Sequence, residues 1–340
     1  MSELLPWETV KTVGGNGHDL AANVPEWATG VDVSKCYGAV TWLWPRFIPN
    51  GHVTLLVGPQ GGGKSFLAAH LMAVVTAGLE AWPDGEPYTG GAGEVILVET
   101  ESMRGETMRR CEAAGGVLTR VKFPSSDPLY IPTLPKDVAR IEELADFTRA
   151  RLIVIDSLSG GAAGDENSGG DMRTVLTRLA ALAARLNVGV LAVHHLRKKS
   201  QLEPDRPTLD RVRGSSAISQ YARSVIALWR PDGESDGPVR VESLKSSFCK
   251  PPEPFGFTIG DNGLTFGDAP DVEPKAATVH ERACEFLRVE LQSGPRRAAD
   301  ILHDAELAGY SRPTLYKAKS ALRVVSVQRP TGWEWGLPHV

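Results

Sequence analysis

A lysine and a serine stand at positions 64 and 65, directly behind the run Gly58-Pro-Gln-Gly-Gly-Gly63. Four positions of this stretch fit the pattern G-x-x-x-x-G-K-[ST]. Glycines at such a place let the backbone fold around phosphate, so that consecutive N–H groups point inward as an anion-binding nest. The preceding residues, VTLLV at 53–57, are apolar β-formers, and those that follow, to about Leu79, have helical character. The positive end of that helix begins near Gly63 and adds to the attraction. Lys64 is placed to reach the β- and γ-phosphates of ATP, and Ser65 to coordinate Mg²⁺. Gly58, Pro59, Gln60, Gly61, Gly62, Gly63 and Phe66 complete the cradle. A mere glycine-rich turn would account for the glycines but not for the strand before them and the helix after.

Chemistry on a bound triphosphate needs further parts. The run Arg151-Leu-Ile-Val-Ile-Asp156 ends an apolar strand with an acid. Mg²⁺ keeps several waters and takes few protein carboxylates, so Asp156 would hold it through its water shell. Water attacking the γ-phosphorus must be oriented by a base or acceptor. The strand at 94–98 ends in Glu99-Thr100-Glu101, and residues two apart on a strand point the same way, so both acids are candidates. A further apolar strand, 188–193, delivers His194-His195. Adjacent side chains on a strand diverge and no third ligand is spaced nearby, so the pair does not read as a metal site. A polar residue at that tip is instead placed to contact the γ-phosphate. The loop behind it, 196–213 (LRKKSQLEPDRPTLDRVR), is long, polar and basic, which marks it as functional.

The elements that position these residues follow from the apolar pattern. Strands are expected at 53–57, 94–98, 151–155, 188–193, 223–229 and 239–244, and helices at 64–79, 103–114, 137–149 and 171–186. Strands that are apolar throughout, separated by amphipathic helices, indicate an α/β fold with a mostly parallel sheet covered on both faces. Residues 1–44 read as an arm or lead-in, with Trp42 and Trp44 packing against the core. The core occupies 45–267, and the Pro- and acid-rich stretch 268–275 (DAPDVEPK) reads as a linker.

Residues 276–340 differ in character. Helices are expected at 276–292, 296–308 and 312–323, the last N-capped by Ser311 with Pro313 in its tolerant first turn. Two short β-like runs about Pro330-Thr-Gly332 suggest a hairpin. Three helices and a hairpin read as a small winged helix-turn-helix, whose third helix enters the major groove. Arg312, Tyr316, Lys317, Lys319 and Arg323 would give that helix a cationic exposed side for duplex DNA. Trp333 and Trp335 share one strand face and are expected in the core.

Composition bounds the rest. The net charge of −4 excludes a globally basic coat protein but not a local basic patch. No apolar run approaches a transmembrane length, so no membrane partner is expected. The N-terminus lacks a signal-peptide pattern, and a cytoplasmic location is expected. Cys36, Cys111, Cys249 and Cys284 are scattered, with no C-x-x-C pair, so neither a zinc site nor a disulfide framework is indicated.

Taken in order, GPQGGGKS, VILVETES, RLIVIDSLS, VLAVHH and RGSSAISQYARS resemble the RecA-fold ATPases of the AAA group over about residues 45–260. They are especially similar to the hexameric replicative helicase of broad-host-range plasmids and to related phage proteins. The resemblance implies that Glu101 rather than Glu99 is the catalytic carboxylate, that Asp156 is the Walker B acid and that His195 senses the γ-phosphate. It also implies that Arg213 is an arginine finger and Lys245 the basic residue beyond it, both reaching a neighbouring subunit's ATP. Lys245-Ser246-Ser247 lacks the second basic residue that bacterial replicative helicases carry there. A homo-oligomeric ATP-driven DNA motor, expected to be a hexamer, follows, with Arg197, Lys198 and Lys199 gripping single-stranded DNA in its channel. A filament-forming recombination or repair ATPase and a nucleotide-dependent loader are the rival expectations.

Overall fold

The computed structural model describes residues 30, 39–162, 169–197, 206–214, 216–233, 236–261, 263–272, 279–330 and 332–338. The chain divides into two compact units, the first ending at Asp271 and the second starting at Val272. Among the described residues no helix is long and apolar enough to cross a membrane.

The first unit opens with a short antiparallel pair, β1 (Trp42–Trp44) and β2 (Ile48–Pro49). The strands that follow are β3 (Val53–Gly58), β4 (Val95–Glu99), β5 (Val121–Lys122), β6 (Leu152–Asp156), β7 (Gly189–His195), β8 (Ser224–Trp229), β9 (Val239–Ser246), β10 (Phe255–Gly260) and β11 (Gly263–Asp268). They form one sheet in the order β11-β10-β9-β8-β3-β7-β6-β4-β5. From β8 to β5 all pairings are parallel, whereas β9, β10 and β11 are added antiparallel. The helices are α1 (Lys64–Ala77), α2 (Arg104–Ala113), α3 (Val138–Thr148), α4 (Leu158–Gly161), α5 (Gly169–Leu186) and α6 (Ser216–Tyr221).

The central strands are buried along their whole length because alternate side chains serve two cores. Leu56, Leu97, Val154, Leu191 and Ile226 face one layer, made by α1 and an aromatic cluster. Leu55, Ile96, Ile153, Val190 and Val225 face the other, beneath α3 and α5. Trp44 belongs to the aromatic cluster, stacked 4.3 Å from Phe47 and 5.5 Å from Trp82, with its indole N–H donated to Asp84. Trp42 is less covered and meets Phe248 edge-on.

The hairpin β10–β11 lies beyond the elements expected from the apolar pattern. It extends the sheet to Asp268, which pairs with Phe255, and Pro270 accepts a hydrogen bond from Arg240. The first residues of the expected linker are therefore sheet, not connection.

The second unit contains α7 (Val279–Leu291), α8 (Ala298–Leu307) and α9 (Arg312–Ala321), with β12 (Arg296–Arg297), β13 (Val325–Arg329) and β14 (Gly332–Gly336). The strands form an antiparallel sheet in the order β12-β14-β13. Its core is Ala283, Leu287, Leu291, Ile301, Ala305, Leu315, Ala318 and Trp335. Ser311 caps α9 by accepting the Thr314 N–H, with a proline in the first turn.

Candidate active site

The carboxyl ends of the parallel strands bring the chemistry-bearing residues together. Gly58 at the end of β3 pairs with His195 at the end of β7, and Glu99 of β4 pairs with Asp156 of β6. This is the edge at which open α/β sheets place ligands.

Gly58–Ser65 forms the turn from β3 into α1. Gly63 caps that helix at φ +88°, where a Cβ would also press to 3.1 Å from the Phe257 ring of β10. Only glycine satisfies both demands. The first turn of α1 carries no intrahelical acceptor for its N–H groups, and its dipole end is positive. Lys64 is buried and donates from Nζ to the Gly58 and Pro59 carbonyls at 3.1 and 2.8 Å. Burial lowers its pKa to about 8, against the opposing pull of Asp156 and Glu101.

Ser65 donates a hydrogen bond to Asp156. Burial raises the Asp156 pKa, and repulsion from Glu101 and Glu99 adds to the rise, despite Ser65 and Lys64. Three carboxylates thus share one ammonium, a charge balance that a divalent cation would correct. Among the described residues no three His, Cys, Asp or Glu side chains are arranged to hold a metal alone. A hydroxyl and one carboxylate beside a phosphate cradle is the donor set that Mg²⁺ accepts, so the residues fit that ion.

The two acids after β4 do not share an environment. The strand ends at Glu99, so side-chain alternation stops there and the expectation that both point the same way fails. Glu99 is buried, and its Oε1 accepts the Glu101 N–H at 2.7 Å. Glu101 is about half exposed, at 47% of its side chain, and lies 3.8 Å from His195 Nε2. Its carboxylate also accepts the Ser157 hydroxyl, which in turn accepts the Gly160 N–H at the start of α4. The Thr100 hydroxyl bonds both the N–H and the carbonyl of Ser157, tying the ends of β4 and β6 together. Ser157 is a site residue that spacing did not reveal; its position just after the strand-ending acid is the sole signal in the chain.

His194 and His195 diverge as expected. The His195 pKa is lowered first by burial and then by Lys64 and Arg213, so the ring is neutral at pH 7. His194 is fully buried, with Nδ1 3.0 Å from the Ser159 hydroxyl and Nε2 2.8 Å from the Arg213 carbonyl. A carbonyl can only accept, so Nε2 carries the proton and Nδ1 accepts from Ser159. Arg213 also donates its N–H to the His195 carbonyl at 3.0 Å. Both histidines of the strand tip are thereby joined to Arg213, which is exposed.

Two residues implied by the resemblance lie elsewhere. Lys245 pairs with Val225 near the opposite end of the sheet, and its Nζ donates to the Ser219 carbonyl at the last turn of α6. It belongs to no contact around Lys64 or Glu101 among the described residues. Arg197 turns back on its own loop, with Nε 3.3 Å from the Asp210 carbonyl. Lys198 and Lys199 lie outside the described residues. Where the loop returns, Arg206 grips the buried Glu242 of β9 with two hydrogen bonds, 3.1 and 2.8 Å.

Phe66 adjoins a cavity of about 450 Å³ that also takes His70, Arg109, Arg110, Asp261 and Leu264. The Arg110 guanidinium lies 3.9 Å from the Phe66 ring centroid, forming a flat cationic platform one residue beyond Ser65.

Comparison with known proteins agrees with this geometry. Residues 36–201 match the family model described as an AAA domain. The core is a RecA-fold AAA domain. A solved structure, the ATPase domain of a helicase, is 16% identical, covers 71% of this chain and 95% of that chain, and superposes with a TM-score of 0.51. The likeness concerns the fold. The AAA match spans β3 to the beginning of the 196–213 loop, and so takes in Lys64, Ser65, Glu101, Asp156 and both histidines but not Arg213 or Lys245.

In the second unit Arg312, Tyr316, Lys317 and Arg323 are exposed. Lys319 is not part of an open cationic face: its Nζ is 2.6 Å from the Ser326 hydroxyl and 4.3 Å from the Trp335 ring centroid. Trp335 is core, as expected. Trp333 is not; it is 53% exposed because the covering helix reaches Trp335 and no further along β14.

Proposed function

We propose that this chain is an ATP-hydrolysing DNA motor that works as a ring, of the plasmid or phage replicative helicase type, with a winged helix as its second unit. The observation that carries the reading is the meeting of Lys64, the Ser65–Asp156 pair, Glu101 and His195 at one sheet edge, with Arg213 joined by its backbone to both histidines of the β7 tip.

Each residue then has a task. The backbone of Gly58–Ser65 cradles the phosphates, and Lys64 leaves its loop carbonyls to neutralise them. Ser65 and Asp156 hold Mg²⁺, which supplies charge neutralisation between the phosphates. The base and ribose occupy the cavity beside the Phe66–Arg110 platform. Glu101, held by Ser157 and by the Glu99-bound N–H, accepts a hydrogen bond from the attacking water and orients it. Neutral His195 donates a hydrogen bond to the γ-phosphate, and when that phosphate leaves, the change passes to the loop that begins at Leu196. Arg213 serves a neighbouring subunit, because a guanidinium supplied in trans stabilises charge on the transferring phosphoryl group. Lys245 supports the same interface by holding the end of α6.

Mixing of inactive variants tests the shared site. Arg213→Ala is expected to bind ATP normally and to hydrolyse it about 10³-fold or more slowly, and Lys64→Ala to lose tight binding. Together, in oligomers that exchange subunits, they recover activity, because some interfaces pair an intact cradle with an intact finger. Glu101→Gln recovers nothing with Lys64→Ala, since both defects lie in one site. Absence of recovery with Arg213→Ala counts against a shared site. Unwinding of a forked duplex, with imaging of the ATP-bound assembly, then separates a ring motor from a filament or a loader.

A further inference from the structure

The exposed face of the small sheet presents aromatic rings where cationic side chains are concentrated. Between Tyr310 and Pro338 the chain carries five Lys and Arg residues against a single acid, Glu334. On β13 and β14 the cross-strand pairs Ser326–Trp335 and Gln328–Trp333 place these four side chains on one face. Tyr316 of α9 meets Trp335 edge-on at 5.7 Å, and the Lys319 ammonium stands 4.3 Å over the Trp335 ring and 5.8 Å from that of Tyr316. Trp335 is thus closed over, whereas Trp333, the next residue outward on the same face, is 53% exposed and Tyr316 is 50% exposed. Gln328, directly across from Trp333, is exposed as well.

We infer that Trp333, flanked by Tyr316 and the Gln328 amide, is a stacking platform for a nucleobase of DNA, either an unpaired base or the last base of a duplex end. The inference rests on the reading of the second unit as a DNA-binding winged helix and adds to it a site that reads a break in base pairing. An indole left outside a core offers a broad π-surface, and base–aromatic stacking tolerates every base. The surrounding cations meet the phosphates on either side, as the polarised charge of this half of the unit requires. Gln328, within reach of a base stacked on Trp333, supplies a donor and an acceptor for its edge. Continuous duplex offers such a ring nothing to stack on, so the preference is for a fork or an end.

The full chain is tested with a forked duplex carrying 2-aminopurine at the first unpaired position, beside an unbroken duplex of equal length. Stacking is expected to quench the 2-aminopurine and to give the fork the tighter binding. Trp333→Phe retains both effects. Trp333→Leu, which keeps apolar bulk but no π-face, weakens fork binding about ten-fold, removes the quench and leaves unbroken-duplex affinity near that of the parent. Parental quench and fork affinity in Trp333→Leu overturn the platform. In that case, a Lys317→Ala, Arg323→Ala double variant that still weakens duplex binding with a shallower salt dependence leaves the winged-helix reading standing. No effect of the double variant on any DNA removes that reading too. Altered self-association of Trp333→Leu with unaltered fork binding assigns the face to a protein contact and likewise overturns the proposal.

Discussion

At the scale of single residues, the buried ammonium of Lys64 carries the most testable physics. Desolvation brings its pKa to about 8, although Asp156 and Glu101 oppose the fall. A triphosphate brings several negative charges and raises that pKa again. Above pH 8 the ligand-free side chain is increasingly neutral, so binding must take up a proton, and affinity falls as pH rises by up to about ten-fold per unit. Below pH 7 Lys64 is already charged and the dependence flattens. Affinity for a non-hydrolysable ATP analogue, followed from pH 7 to 9.5, is expected to show this bend. Lys64→Arg, whose guanidinium stays charged, is expected to abolish it even if it binds more weakly. A flat wild-type profile would show that Lys64 does not meet the phosphates as an ammonium. The residue types and spacing of the cradle were legible in the chain because a phosphate nest needs glycines in fixed order. Ser157 was not, since its bond to Glu101 joins residues from two strands and depends on how the ends of β4 and β6 meet.

Among the elements, the tip of β7 links nucleotide to finger. His195 faces Glu101, while His194 turns inward to hold the Arg213 carbonyl and the Ser159 hydroxyl. His194→Ala strands both groups in a buried place, which costs about 1–3 kcal/mol of stability. It also releases the start of the Arg213 turn, and misplacing a catalytic group by about 1 Å can cost about 10²-fold in rate. The expected outcome is a turnover loss of that order with ATP affinity nearly unchanged, and partial rescue by His194→Gln, which can still donate to the carbonyl. Equal losses in affinity and turnover would mean that His194 only supports the fold. The strand that delivers this pair could be read from sequence because β7 is apolar throughout and buried on both faces. The hairpin β10–β11 could not be read in the same way. Its outer strand is largely exposed, so it has no apolar run, and the Asn262-Gly263 dipeptide between FGFTIG and GLTFGD was its sole turn signal. That hairpin nonetheless bears on the site, since Phe257 packs against Gly63 and its turn lines the cavity beside Phe66.

For the whole molecule, each unit carries its own apolar core. The first has two layers around a nine-stranded sheet, and the second closes ten buried residues among three helices and a three-stranded sheet. None of the residues around Lys64, Asp156 and Glu101 comes from beyond Asp271. The second unit was readable from its helix periodicity and the Ser311 cap, but the fate of its tryptophans was not, because equal spacing on one strand does not say how far a covering helix extends. A chain cut after Asp271 is therefore expected to keep ATP binding, hydrolysis and its stimulation by single-stranded DNA within about two-fold, and to lose most duplex affinity. The complementary piece, of about 70 residues, has a core able to supply only about 3–5 kcal/mol and is expected to unfold at low denaturant while keeping helical circular dichroism without it. Turning Arg197, Lys198 and Lys199 to alanine in the full chain should do the reverse of the truncation: duplex affinity persists, and the salt dependence of single-strand binding flattens by up to about one unit of slope per lost phosphate contact. If the truncated chain instead fails to assemble or to hydrolyse ATP, the second unit is an assembly module, and the cations of α9 serve a neighbouring subunit, not DNA.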